Sequence, residues 1–324
     1  MRLATFNLEN LDLEPGTGIP LETRIAVLRP VLERIAADIL CLQEVNGQHV
    51  AGAPERRLVA LERLIDGTCY AGFERAATTG PSGYGVGSVH NLVTLSRFPI
   101  RERQEVRHRL VEPLRHGYLT GTAKGAGPQA IAFDRPLLLC AVELPGGRRL
   151  DVVNLHLRAA RASAVPGEKL TSEQWRSARG WAEGCFLSAF KRTAQALELR
   201  LLVDERLDED PERLIAVAGD FNAEDHETPL RLVAAAPEEA GNAGLAARSL
   251  LVLDRAIPVE RRWSVRHRDR REMLDHIVAS RALARHLRTV EVLNETVADA
   301  ASGAAQAGIA GSSHAPVVAE LALD

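Results

Sequence analysis

The stretch Leu214-Ile215-Ala216-Val217-Ala218-Gly219-Asp220-Phe221-Asn222-Ala223 constrains the fold of this chain more than any other. It begins as an unbroken apolar run between Pro211 and polar residues, the pattern of a strand buried on both faces. The run stops at a glycine and then presents an acid and an amide two positions apart. On an extended backbone Asp220 and Asn222 point the same way and could address one ligand together. Taken alone, Gly-Asp and Asn read first as a turn. The rest of the chain reverses that order.

The same punctuation recurs along the sequence. Arg2 to Phe6 reads as a strand ending in Asn7-Leu8-Glu9-Asn10, and Asp38 to Leu42 as one ending in Gln43-Glu44-Val45. Leu92 to Leu95 closes at Ser96-Arg97-Phe98-Pro99-Ile100. Pro136 to Leu144 turns at Gly146-Gly147 into Leu150 to Leu157, a hairpin that carries Asn154 and His156. Leu274 to Ala279 holds Asp275, and Ala315 to Leu321 follows His314. Between the strands, Leu21, Ile25, Leu28, Leu32 and Ile35 keep a helical period, and Leu58, Leu61 and Ile65 mark a shorter helix. The capping-box pattern Thr171-x-x-Gln174 starts a long helix with Phe186, Phe190, Leu197 and Leu201 on its apolar face. A further helix follows Pro229. Pro15, Gly16, Gly18 and Pro20 form a loop, as does the stretch from Ala77 to Gly87.

The chain has 324 residues, with no repeat, long linker or break in composition, so one α/β domain over 1–324 is the economical organisation. A net charge of −3 argues against a protein that holds nucleic acid by global electrostatics alone. Cys41, Cys69, Cys140 and Cys185 contain no C-x-x-C pair, which argues against structural zinc and a disulfide framework. No apolar run reaches membrane-spanning length, so no membrane contact is expected. The opening Met-Arg-Leu-Ala-Thr-Phe-Asn reads as a strand rather than a signal peptide, and a cytoplasmic location is the expectation.

Polar residues that close apolar strands form a series: Asn7, Glu44, Asn154 with His156, Asp220 with Asn222, Asp275 and His314. Such a series describes a catalytic mouth at one rim of a sheet. It suits metal-assisted attack on a phosphorus ester. Mg²⁺ takes one or two carboxylates plus water and substrate oxygens. Glu44 and Asp220 are such carboxylates, Asn7 and Asn222 offer neutral oxygens, and His156 and His314 move protons near neutral pH.

The ordered set ATFNLENL, LQEV, LSRFPI, VVNLHL, AGDFNA, LDHI and SSHAP resembles the endonuclease/exonuclease/phosphatase superfamily. That group includes deoxyribonucleases, abasic-site endonucleases and inositol polyphosphate 5-phosphatases. The resemblance implies a four-layer α/β sandwich, with two central mixed β-sheets packed face to face and flanked by helices. It implies that Glu44 and Asp220 bind Mg²⁺, or Mn²⁺ in its stead, with Asn7 at or just behind the ion. Asp220 and Asn222 would orient the attacking water and hold the phosphoryl group. His314 would be the base or the proton-bearing partner of the phosphate, its ring fixed by Asp275. His156 would donate to a non-bridging oxygen, with Asn154 binding phosphate beside it. His276 then falls to ordinary packing, and His49, His90, His108 and His116 to the surface. The family's last motif usually reads S-D-H-x-P. Here it is Ser312-Ser313-His314-Ala315-Pro316, which removes a carboxylate and puts a second metal position in question.

Two basic stretches bear on substrate. One is Arg101, Arg103, Arg107, Arg109 and Arg115; the other is Arg255, Arg261, Arg262, Arg266, Arg268, Arg270 and Arg271. They fit a salt-bridged surface and a phosphate-gripping surface equally. Aromatic residues at 4% leave few platforms for stacking bases. The leading expectation is a Mg²⁺-dependent phosphodiesterase with nuclease-like activity, acting on a phosphate ester such as a DNA or RNA backbone. The alternatives are a phosphomonoesterase on a soluble phosphorylated metabolite and a catalytically weak, phosphate-binding member.

Overall fold

The computed structural model describes residues 1–13, 18–81, 83–295, 297 and 310–323; Pro15 and Gly16, expected in a loop, lie outside them. The strands appear in the order β1 (Arg2–Leu11), β2 (Ile39–Val45), β3 (Glu74–Ala77), β4 (Asn91–Ser96), β5 (Ile100–Val106), β6 (Leu114–His116), β7 (Gln129–Ile131) and β8 (Leu137–Glu143). There follow β9 (Arg149–His156), β10 (Leu214–Asp220), β11 (Leu250–Val252), β12 (Val265–His267), β13 (Arg270–Glu272), β14 (Asp275–Ser280), β15 (Leu287–Val292) and β16 (Val317–Leu321). The helices that matter below are α1 (Leu21–Ile35), α2 (Val59–Ile65), α3 (Ala178–Glu209) and α4 (Thr228–Ala234).

Two six-stranded sheets carry the fold, ordered β15-β16-β1-β2-β4-β3 and β11-β14-β10-β9-β8-β5; β6 with β7 and β12 with β13 make two small ribbons. Each large sheet has one parallel pair near its middle, β1 with β2 and β9 with β10. The neighbouring β16 and β14 run antiparallel to β1 and β10. An antiparallel strand starts at the rim where its neighbour ends. The ends of β1, β2, β9 and β10 and the starts of β14 and β16 therefore gather at one rim.

The layers follow from which faces are apolar. Leu3, Ile39, Cys41 and Val317 of the first sheet meet Cys140, Val152, Ala216 and Ile277 of the second. The alternate residues Ala4, Phe6 and Leu8 face Leu28 and Leu32 of α1 and Leu61 of α2. On the far side, Leu155, Val217 and Val278 pack on Leu199 and Val203 of α3 and Leu230 and Val233 of α4. This is the four-layer sandwich that the motifs implied. Both faces of the central strands are covered, which is why they read as unbroken apolar runs.

The sequence reading lacks the two small ribbons and, in the large sheets, β3, β5, β11 and β15, which are the sheet edges. β5 alternates charge, with Arg101 paired to Glu143 and Arg103 to Glu105, a pattern that blunts an edge against foreign strands. The long helix also begins later than the capping-box pattern suggested. Thr171 Oγ1 accepts the N–H groups of Glu173 and Gln174 in a turn, whereas Ser177 caps α3 by accepting from Gly180. Among the described residues no helix is long and apolar enough to cross a membrane.

Candidate active site

The site starts from a distortion. Pairing between β1 and β2 shifts register between Asn7 and Leu11, and Glu9, Asn10 and Glu44 take left-handed backbone angles (φ 48, 54 and 57). Non-glycine residues held there cost of order 1–3 kcal/mol each and are retained where the surrounding structure demands it. The demand here is Asn7. Its Oδ1 accepts the Glu9 N–H at 2.9 Å, which fixes the amide so that Nδ2 faces Glu44 Oε1 (3.4 Å) and Asp220 Oδ2 (3.1 Å). Asn7 was expected as a neutral oxygen donor at the ion or just behind it; its oxygen accepts the Glu9 N–H and its nitrogen braces two carboxylates from two different sheets. Glu44 Oε2 accepts the Asn10 N–H, so the bulge also holds the second carboxylate oxygen.

Asp220 ends β10 with His156 and Asp275 directly beside it on the flanking strands. Gly219 is needed just before it, because a Cβ there would lie 2.0 Å from Leu155 O. After Asp220 the strand stops. Asp220 Oδ1 accepts the Asn222 N–H at 2.8 Å, Asn222 is itself left-handed (φ 48), and its Nδ2 donates to Leu157 O. The two residues therefore do not share an extended backbone; they form a turn in which Asn222 fixes the Asp220 carboxylate. His276 holds the far side of this turn. Fully buried, it sets Nδ1 against both Asp254 oxygens at 3.1 Å and donates Nε2–H to Ala223 O. Burial opposes its charge, but Asp254 outweighs burial and raises its pKa.

His314 precedes β16 and sets Nδ1 2.7 Å from Asp275 Oδ2, while its Nε2 lies 3.9 Å from Asp220 Oδ2. Burial disfavours the charged ring, yet Asp275 and Asp220 prevail and bring its pKa up to about 10. Burial and the Asp275 charge push Asp220 up to about 7. A proton thus belongs to the Asp220–His314–Asp275 group, resting on the imidazole. Upstream, Ser312 Oγ donates to Asn7 O, and the Ser313 N–H donates to Glu9 Oε2 at 2.7 Å. At the motif's point of departure, then, a carboxylate arrives from β1.

His156 turns Nε2 into the same space, 3.4 Å from Asp220 Oδ2 and 3.8 Å from Glu44 Oε1. Burial, and then Arg135, hold its pKa well below the usual value, so the ring is neutral. Asn154 does not join it. It is completely buried, accepting from Gln43 and donating to Leu42 O and Val93 O, and it tethers the two sheets beneath the site. The expected phosphate contact at Asn154 has no free amide atom to make it.

His90, Arg135 and Glu9 are the residues that sequence reasoning missed. Arg135 donates to His90 Nδ1 at 2.8 Å, so His90 Nε2 carries the proton and donates to Asn10 Oδ1, also at 2.8 Å. The His90 and His156 rings lie 6.3 Å apart. No motif marked His90, because its place depends on Arg135, forty-five residues away. His108 and His116 are not surface residues either: His108 stacks on Phe133 and His116 pairs with Glu183. His49 is exposed, as expected.

The donor set fits a hard divalent cation. Ligand atoms of Asp220, Asp275 and His314 lie within 4.8 Å of one another, and Glu44 stands beside them, sharing Asn7 Nδ2 with Asp220. Asp275 Oδ1 is buried with no hydrogen-bond partner among the described residues. Carboxylates in excess, one of them with an unpartnered oxygen, are what such an ion satisfies. The arginine stretches largely make intramolecular contacts at the surface. Arg109 pairs with Glu205, Arg115 donates to Pro128 O, Arg255 pairs with Asp225, Arg270 with Glu272, and Arg271 lies over Trp263.

Solved structures share this architecture. An endonuclease/exonuclease/phosphatase family protein from Leptotrichia buccalis is 14% identical, with a TM-score of 0.57 and full coverage of both chains. An AP endonuclease from Archaeoglobus fulgidus is 16% identical, with a TM-score of 0.52 and full coverage of both. Truncated Caenorhabditis elegans TDP2 is 14% identical, with a TM-score of 0.56, over 98% of this chain and 95% of that one. At such identities the likeness is one of fold. No curated protein matches the sequence. The profile of the Endonuclease/Exonuclease/phosphatase family matches residues 4–302, and the chain belongs to that family.

Proposed function

We propose that this chain is a Mg²⁺-dependent phosphoesterase that hydrolyses phosphodiesters. The observation that carries the reading is the meeting of Glu44, Asp220 and the Asp275–His314 pair at one rim, where three carboxylates come together with the His314 and His156 imidazoles. Glu44 and Asp220 would hold the ion, braced by Asn7 and by the Asn10 and Asn222 N–H groups. When bound, Mg²⁺ polarises the P–O bond and neutralises charge developing on the phosphate oxygens.

The protein's own groups supply the rest. Asp275 on Nδ1 of His314 sets the ring's orientation and stabilises its charged form, leaving Nε2 to exchange a proton with water or with the phosphate. Asp220, held by the Asn222 N–H, offers the acceptor nearest that nitrogen and lines up an attacking water. His156, neutral and with Nε2 facing the same space, donates to a non-bridging oxygen. Arg135, donating to His156 O, adds positive charge beside the ring.

Turnover of bis-p-nitrophenyl phosphate, p-nitrophenyl phosphate, plasmid DNA and RNA, with Mg²⁺, Mn²⁺ or chelator, tests this reading. Metal-dependent cleavage of the diester is the expected result. Cleavage of the monoester alone would make the chain a phosphomonoesterase. Absence of turnover on every substrate with either ion would leave only phosphate binding.

A further inference from the structure

Beside Arg135 the segment from Phe133 to Arg135 is surrounded by cations. Lys191 and Arg158 share the single carboxylate of Asp134, at 2.7 and 3.1 Å. Arg107 donates to Phe133 O, and Arg135 to His90 and to His156 O. Among the described residues neither Arg107 nor Arg135 has a carboxylate within 4.0 Å. Glu105, lower on β5, is taken by Arg103 and Thr79. Asp134, already paired with Lys191 and Arg158, is therefore the one carboxylate among these four cations.

A cavity of about 440 Å³ opens here, lined by Arg107, Tyr118, Phe133, Asp134, Ser163 and Lys191. Ser163 is 6% exposed, and its hydroxyl has no partner among the described residues. A buried hydroxyl left unsatisfied is costly, and lining a cavity with surplus positive charge gives it a use. Lys191 Nζ, the Arg107 guanidinium and the Ser163 O–H are all donors, the equipment for an anion with several oxygens. Asp134, which lines the cavity, is followed in the chain by Arg135, whose side chain reaches His90 and His156 O at the catalytic rim.

We propose that this cavity is a second anion subsite, which receives a phosphate of the substrate other than the one being hydrolysed. The inference rests on the phosphodiesterase reading and narrows it to substrates with at least two phosphates. That second phosphate belongs either to a polynucleotide backbone or to a small bisphosphorylated metabolite. The ion pairs of Asp134 with Lys191 and Arg158 open to admit it, Asp134 keeping one cation while the other turns to the ligand.

The test compares the p-nitrophenyl ester of thymidine 5′-phosphate with the same ester carrying a 3′-phosphate, and a hexose p-nitrophenyl phosphodiester with and without a second phosphate. Wild-type protein should favour the doubly phosphorylated member of the thymidine pair through a lower KM. Preference in the hexose pair alone points to a metabolite, and in the thymidine pair alone to a polynucleotide. Lys191→Gln and Ser163→Ala should each reduce the preference by about tenfold, the order expected for one charge-assisted hydrogen bond. Both should leave bis-p-nitrophenyl phosphate turnover unchanged. No preference in either pair, or equal losses on singly and doubly phosphorylated esters, overturns the subsite.

Should no ester be hydrolysed, calorimetric titration with thymidine 3′,5′-bisphosphate still decides the point. Binding that weakens in Lys191→Gln supports the subsite after the phosphodiesterase reading has fallen. Absence of binding, or equal binding by the variant, overturns it.

Discussion

The two rims of this sandwich hold the same residue types in opposite electrical company. Asp151 near the start of β9 and Asp220 at the end of β10 are 0% and 1% exposed. Arg149 meets Asp151 at 2.8 Å, and Arg206 approaches it at 4.0 Å. Around it Glu102 takes both arginines, and nearby Asp38 pairs with Arg97. Asp220 instead meets Asp275, Glu44, an amide and two imidazoles, with no guanidinium within 4.0 Å among the described residues. A buried carboxylate settled by arginine is structural. One left beside other carboxylates is a charge kept for a ligand, and two neighbouring parallel strands, β9 and β10, carry the two kinds at opposite ends.

Removing the ligand carboxylates should have the largest effect. Glu44→Ala and Asp220→Ala are expected to lower diester turnover by at least roughly 10³-fold, since a bound ion supplies several kcal/mol of transition-state stabilisation. Thermal melts should stay close to wild type, and Asp220→Asn should match or exceed it because a like-charge contact disappears. Full activity after metal stripping, or collapse of the fold in both variants, would erase the distinction between the rims.

His314→Ala follows, with an expected loss of about 10²–10⁴-fold, the usual worth of a placed proton-transfer group. Asp275→Asn should lose less, because the imidazole stays in place but no longer has its carboxylate on Nδ1. Rates on bis-p-nitrophenyl phosphate separate the two. Equal, small losses would remove both residues from the chemistry.

At the other rim the expected signs reverse. Asp151→Asn strips the acid from Arg149 and Arg206 and should cost about 1–3 kcal/mol, the worth of a hydrogen bond to a charged group, less than a fully buried pair because Arg149 is half-exposed and both arginines keep Glu102. Its kcat/KM, taken at a temperature where the variant is folded, should stay near wild type. Urea unfolding and initial rates measured together check it. Lost turnover with unchanged stability would mean that Asp151 belongs to the site after all.

Most of the site could be read in the sequence, because it is written at strand ends. Buried strands leave long apolar runs, and a polar residue that closes such a run stands out: Glu44, His156, Asp220, Asp275 and His314 were found that way. What failed was geometry that depends on partners far along the chain. The orientation of Asn7 is set by the Glu9 N–H inside a bulge, which no spacing rule predicts. Asn154 sits two residues before His156 and projects to the same face. Depth alone separates them, since Gln43, Leu42 and Val93 from the opposite sheet surround the amide. His276 looks like packing until Asp254 and Ala223 are seen on its two nitrogens. Of the edge strands, β3, β5 and β15 escaped notice for the converse reason, since half-exposed and charged they leave no apolar run, and β11 because its apolar Leu-Leu-Val is only three residues long.

The smallest expected effect sharpens the contrast within the catalytic rim itself. Where the family usually has an acid, Ser313 offers a hydroxyl, a poorer ligand for a hard cation. Its N–H is capped by the Glu9 carboxylate, so an acid placed at 313 would stand close to an existing negative charge. Ser313→Asp should therefore lower the Mg²⁺ concentration for half-maximal activity by a few-fold, while the metal-free protein melts slightly earlier than wild type from like-charge repulsion. The maximal rate could fall as well, because the added carboxylate faces an anionic substrate. Metal titrations of both proteins on one diester, with melts in chelator and in Mg²⁺, decide it. Superimposable titrations and melts would mean that Glu9 already supplies whatever charge this corner of the site requires, and that position 313 does not tune the metal.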